Sequence, residues 1–156
     1  MNAGKIFEQS FKNSVPDDIF YYRLRDGTAS WGEQENTRFQ QTNICDCILY
    51  KKPNMFMLEL KSHKGKSIPF GNIKSNQLEG LCSAQEYGIK AGFIFNMRDV
   101  EETYYVSAID VWNYMSATDR KSIPINYMRE QGIQINQELK RVRYRYDIDK
   151  FVRSII

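Results

Sequence analysis

One α/β domain, helix first and sheet in the middle, is the fold class this sequence predicts. An apolar stripe at helical spacing (Phe7, Phe11, Val15) opens the chain, runs rich in β-branched and aromatic residues fill its centre, and helical stretches separate and follow those runs. A length of 156 residues suits one domain, and 42% apolar with 13% aromatic residues suits a packed core rather than a disordered chain. No apolar run approaches the roughly 20 residues of a membrane span, and the start lacks an apolar signal core. The expectation is a soluble intracellular protein.

Residues 3–14 read as the first helix, capped by Asn2, with Gly4, Phe7, Phe11 and Val15 along one side. Glu8 borders that apolar side, where a glutamate is either solvated or part of a site. Pro16-Asp17-Asp18 ends the helix, and 19–24 have strand composition. Residues 25–41 are polar, contain Gly27 and Gly32, and carry Trp31 and Phe39 among Arg25 and Arg38. Such aromatic and arginine side chains stack on or wedge between bases, or they tuck the loop onto the core. Further on, 62–70 read as a basic loop and 72–88 as a helix opened by Gly71-Asn72 and stopped by Gly88. Strands are expected at 90–97 and 102–107, joined by 98–101, and a helix at 108–117. Residues 118–140 read as less regular, with a turn at 121–124. Residues 141–148 alternate like an edge strand, and 149–156 read as a closing helix. No internal repeat, linker or low-complexity tract stands out.

The central stretch from Ile44 to Lys61 carries the chemistry. It reads as two strands joined by a turn at Lys51-Lys52-Pro53-Asn54, with Tyr50 opposite Met55. Stepping outward from that pair sets Asp46 opposite Glu59. Side chains alternate faces with period 2, so Glu59 and Lys61 share one face, and directly paired positions have Cβ atoms roughly 5 Å apart. Two facing carboxylates repel, and a divalent cation resolves the conflict, because Mg²⁺ is held by one or two carboxylates with waters and phosphate oxygens. A structural ion pair between Glu59 and Lys61 is the competing reading of the bare D-x12-E-x-K pattern.

Charge and cysteine usage narrow the partners. The net charge is only +3, but four lysines and no acid occur from Lys61 to Lys74, and four of the six residues from Lys140 to Arg145 are basic. Such clusters are solvated faces or fit a polyanion. Cys45, Cys47 and Cys82 are odd in number and lack metal-ligand spacing, and His63 is the only histidine. A zinc site is not expected, and free thiols are.

Glu8 on the first helix, D-x12-E-x-K across a hairpin and Gln77 on the next helix follow the order of PD-(D/E)xK nucleases. The segments GKIFEQSF, LELKSHKGKSIPF, NIKSNQLEGL, RKSIPI and RYRYDID resemble RecU-type Holliday junction resolvases, particularly short bacteriophage-type members, over nearly the whole chain. The resemblance implies a restriction-endonuclease-like core, with a central mixed β-sheet flanked by helices, and one nuclease domain over 1–156. It implies that Asp46 and Glu59 bind catalytic Mg²⁺, which Mn²⁺ replaces, that Gln77 contributes to the metal site, that Lys61 stabilises the transition state and that Glu8 acts through a water. A homodimer on four-way DNA junctions follows, nicking paired strands in recombination and repair in the cytoplasm of a bacterial or phage-infected cell. A stalk-like insertion falls at about 25–41, where Arg25, Trp31 and Arg38 would meet DNA, while Lys64, Lys66 and Lys74 would hold flanking backbone. Two departures stand out: Ile44-Cys45 replaces the Thr-Thr that precedes the aspartate in larger members, and the stalk segment is shorter and glycine-bearing. The alternatives are a nuclease of the same superfamily acting on other branched or duplex DNA, and a non-catalytic junction-binding accessory protein.

Overall fold

The strand Lys90–Met97 points Ala91, Phe93, Phe95 and Met97 to one side and Ile94 to the other, and both sides are buried. Alternating side chains with apolar cover on each face put this strand inside a sheet that carries helices above and below. The computed structural model, which describes residues 1–25 and 42–156, shows that arrangement.

In chain order the elements are α1 (Ala3–Ser14), β1 (Phe20–Arg23), β2 (Cys47–Lys51), β3 (Asn54–His63), β4 (Ser67–Pro69), a 3-10 turn (Phe70–Asn72), α2 (Ser75–Glu86) and β5 (Lys90–Met97). There follow β6 (Glu102–Ser107), α3 (Ala108–Ala117), β7 (Ser122–Pro124), α4 (Ile125–Gln131), β8 (Ile133–Gln134), β9 (Gln137–Lys140), β10 (Arg143–Tyr146) and α5 (Ile148–Ser154). Six strands form the central mixed sheet in the order β1-β2-β3-β5-β6-β8. The β3–β5 pair is parallel and the other pairs are antiparallel. Leu78 and Leu81 of α2, Val111 of α3 and Met128 of α4 cover one face. Phe7 and Phe11 of α1 and Phe151 and Val152 of α5 cover the other. The sheet is mixed and flanked by helices, as expected.

Several elements follow local signals closely. Asn2 caps α1, its side chain accepting from Lys5 N at 2.9 Å, and Ser107 caps α3 by accepting from Asp110 N. Strands β5 and β6 and helix α3 occupy the expected ranges. Gly92 is required where β5 meets β6, since a Cβ there would lie 2.4 Å from the Val106 carbonyl oxygen.

The differences share one cause. Residues 62–70 and 121–124, expected as loop and turn, contain β4 and β7, which pair antiparallel with Ile68 opposite Ile123. Both strands are copies of one tetrapeptide, Lys-Ser-Ile-Pro, at 66–69 and 121–124. The pairing repeats itself: Phe70 N donates to Lys121 O at 3.0 Å, and Ile125 N donates to Lys66 O at 2.8 Å. This ribbon pins the chain ahead of α2. Ile73 and Lys74 stay extended, and α2 starts at Ser75 rather than 72, so tertiary pairing overrides the Gly71-Asn72 start signal. Residues 118–140 likewise hold α4, β8 and β9. The strand expected at 141–148 is shorter and, among the described residues, pairs with β9 alone, outside the central sheet.

Replacing Gly92 by alanine should cost about 1–3 kcal/mol in urea denaturation, because the new methyl group meets fixed backbone. Gly71→Ala, with nothing within 4 Å of its added Cβ, should change stability by less than about 0.5 kcal/mol.

Candidate active site

The turn after β2 sets the register on which the site depends. Lys51 pairs with Asn54 and Tyr50 with Met55, and the ladder runs to Cys47 opposite Leu58. The ladder ends there, and Asp46, the next residue, still brings its carboxylate beside that of Glu59. There β2 has ended, but Asp46 is held on three sides. Its N donates to Leu58 O at 3.0 Å, its O accepts from Leu24 N at 2.8 Å, and its carboxylate accepts from Leu60 N at 2.7 Å. The side chain thus satisfies the β3 amide that a longer β2 would have paired. Behind it, Ile44 packs where Gly80 of α2 has no side chain, since a Cβ on Gly80 would meet Ile44 Cγ2 at 2.4 Å.

Glu59 is 4% exposed. Its Oε1 accepts from Lys61 Nζ at 2.9 Å and from Gln77 Nε2 at 2.8 Å, and Lys61 Nζ also donates to Gln77 Oε1 at 3.2 Å. Glu59, Lys61 and Gln77 close a triangle between the middle of β3 and the first turn of α2. Glu59 Oε2 is buried and has no hydrogen-bond partner among the described residues. Burial, reinforced by the neighbouring Asp46 charge and opposed by Lys61, pushes Glu59 up to about 7. Burial also raises Asp46, against the Leu60 amide that favours its ionised form. The two carboxyl groups are neighbours whose charges oppose each other's ionisation, so the pair holds a proton that isolated carboxylates would lose.

An orphaned carboxylate oxygen beside a second carboxylate fits a hard divalent cation that keeps waters of its own. Among the described residues no group of three or more His, Cys, Asp or Glu converges, so a soft-metal cage is not formed there. Gln77 spends its amide on Glu59 and Lys61, holding both in place.

The remaining expected residues are spread around this centre. Glu8 on α1 accepts from Arg23 Nε, and its charge raises Asp46, so it borders the pair without joining the triangle. Lys64 and Lys66 are exposed on the turn after β3, and Lys74 is exposed just before α2. Arg25 is exposed, and its carbonyl accepts from the Asn43 side chain. Trp31 and Arg38, with the rest of the stalk-like segment at 26–41, lie outside the described residues. Sequence reasoning passed over Arg23, and over Lys121, which the β4–β7 ribbon sets beside Phe70 at the end of β4. The repeated Lys-Ser-Ile-Pro was the available signal.

Residues 12–150 match the family model described as RecU, Recombination protein U. The chain belongs to the RecU family. Its relatives include a protein of Bacillus subtilis (strain 168) described as SPbeta prophage-derived uncharacterized protein YotM, 31% identical over 172 residues, covering 99% of this chain and 87% of that one. Among solved structures, Hjc of Archaeoglobus fulgidus, a Holliday junction resolvase, superimposes with a TM-score of 0.48 at 13% identity, over 75% of this chain and 83% of that one.

The raised Glu59 value sets a pH dependence. Between its ordinary 4.5 and about 7 the folded state binds more protons than the unfolded chain, so metal-free stability falls as pH rises through that window. Glu59→Gln should remove most of this slope, gaining about 2 kcal/mol on the parent between pH 5 and pH 8 in urea titrations without divalent cations.

Proposed function

We propose that this RecU-family protein is a divalent-cation-dependent endonuclease that resolves four-way DNA junctions as a homodimer. The observation that carries this reading is the buried Glu59 Oε2, left without a partner beside Asp46. An ion pair serving structure alone would be expected to satisfy both oxygens. Here one oxygen is taken by Lys61 and Gln77.

Asp46 and Glu59 would hold Mg²⁺, or Mn²⁺ in its place. When bound, the cation supplies charge neutralisation at a phosphate and a more acidic water. Lys61 is positioned by Glu59 and Gln77 so that its ammonium group can meet a non-bridging phosphate oxygen or orient the attacking water. Gln77 fixes both partners, and would help to hold the cation beside them. Glu8 stands at the edge, where it acts through a water. Lys64, Lys66 and Lys74 give backbone contacts that are salt-dependent and tolerant of sequence. A four-way junction has near two-fold symmetry, so two copies of one site on a symmetric dimer suit paired nicks.

A labelled synthetic junction incubated with Mg²⁺ tests the reading. Asp46→Asn and Glu59→Gln should each lower cutting by about 10³-fold or more while junction binding persists, and Lys61→Ala should lower it by about 10²-fold. Undiminished cutting by either carboxylate variant contradicts the site. Equal rates on junction, fork and linear duplex contradict the substrate.

A further inference from the structure

The Lys140–Arg145 cluster is not absorbed by the site above. Its hairpin, Gln137–Tyr146, holds four basic residues against Glu138, an excess equal to the +3 of the whole chain. The other 146 residues therefore balance to zero. These charges sit on an appendage, since among the described residues β9 and β10 pair only with each other, apart from the central sheet. The hairpin is seated on α1, where Arg145 donates to the Asn13 carbonyl and Tyr146 N donates to Ser14 Oγ at 3.0 Å. Its tip faces solvent: Val142 is 85% exposed between Arg141 and Arg143. Among the described residues neither arginine forms an ion pair, whereas Lys140 is held by Glu138.

Two grooves flank the exposed ridge of α1. One, of about 340 Å³, is walled by Gln9, Asn13, Lys140, Arg143 and Arg145. The other, of about 290 Å³, is walled by Lys5, Glu8, Gln9, Lys12 and Arg23. Gln9 belongs to both. A polar, mainly cationic surface therefore runs from the hairpin across α1 to Glu8 and Arg23, at the border of the carboxylate pair. We propose that the β9–β10 hairpin and the outer face of α1 form a track for the phosphate backbone of a duplex DNA arm outside the cut. The inference rests on the nucleic-acid reading of the site. It assigns Arg141 and Arg143 to phosphates and brings the apolar tip residue Val142 against a groove, a space that accommodates a two-stranded β-ribbon. Single-signed charge on an exposed ribbon is the complement of a duplex, whose charge density is one phosphate per roughly 1.7 Å of axis.

The test measures binding in an Asp46→Asn background, so that the DNA stays intact. An added Arg141→Ala/Arg143→Ala pair, checked for unchanged thermal unfolding, should weaken binding to a synthetic junction about tenfold or more near 0.1 M salt. It should also make the log–log salt dependence shallower by about two. Hydroxyl-radical footprints should lose protection on an outer arm while the crossover stays protected. An unchanged salt slope, or protection lost evenly over the whole junction, overturns the track. If the parent binds linear duplex as well as junction and the slope still falls by about two, the track stands and the junction-selective reading fails.

Discussion

The buried carboxylate of Glu59 is the constraint around which the rest of this protein is arranged. It is 4% exposed, next to a second carboxylate, with one oxygen bonded twice and the other left open. Burying charge in this way costs several kcal/mol unless it is compensated. Lys61 compensates in part, and proton uptake by the pair compensates further, which is why Glu59 is pushed up to about 7. That cost falls where β3 meets α2, which is where the proposed cation site lies.

The sheet turns this chemistry outward. Strand β3 is central, parallel to β5 and antiparallel to β2, so the Glu59–Lys61 face is fixed from both sides. Helix α2 then places Gln77 above that face by a start point that the β4–β7 ribbon determines. The same ribbon lays two distant segments side by side, with Lys66 at one end and Lys121 at the other.

Legibility in the sequence followed the range of the interactions. The Asp46–Glu59 juxtaposition was readable because a short turn sets the register, and period-2 alternation then put Lys61 on the face of Glu59. Helix α1, with a side-chain cap and a clear apolar stripe, was equally readable. Gln77 came from family resemblance, since nothing in its local spacing marks it. The β4–β7 pairing escaped because its partners lie far apart in the chain, Ser67 opposite Pro124, and because proline in both segments reads locally as turn. The late start of α2 escaped with it. Arg23 was passed over because its partner Glu8 lies on another element, and the hairpin was half seen, as a strand without its mate β9. The DNA-contact roles given to Trp31 and Arg38 fall on residues outside those described.

The most direct measurement is the proton count on Mg²⁺ binding, taken by calorimetry in buffers of different ionisation enthalpy. If Asp46 and Glu59 share a proton that the cation must displace, binding near pH 6 should release about one proton per chain and binding near pH 9 almost none. Glu59→Gln should abolish both the binding and the release. Mg²⁺ that binds with the same proton count at both pH values, or that binds the Glu59→Gln variant as tightly as the parent, would contradict the account.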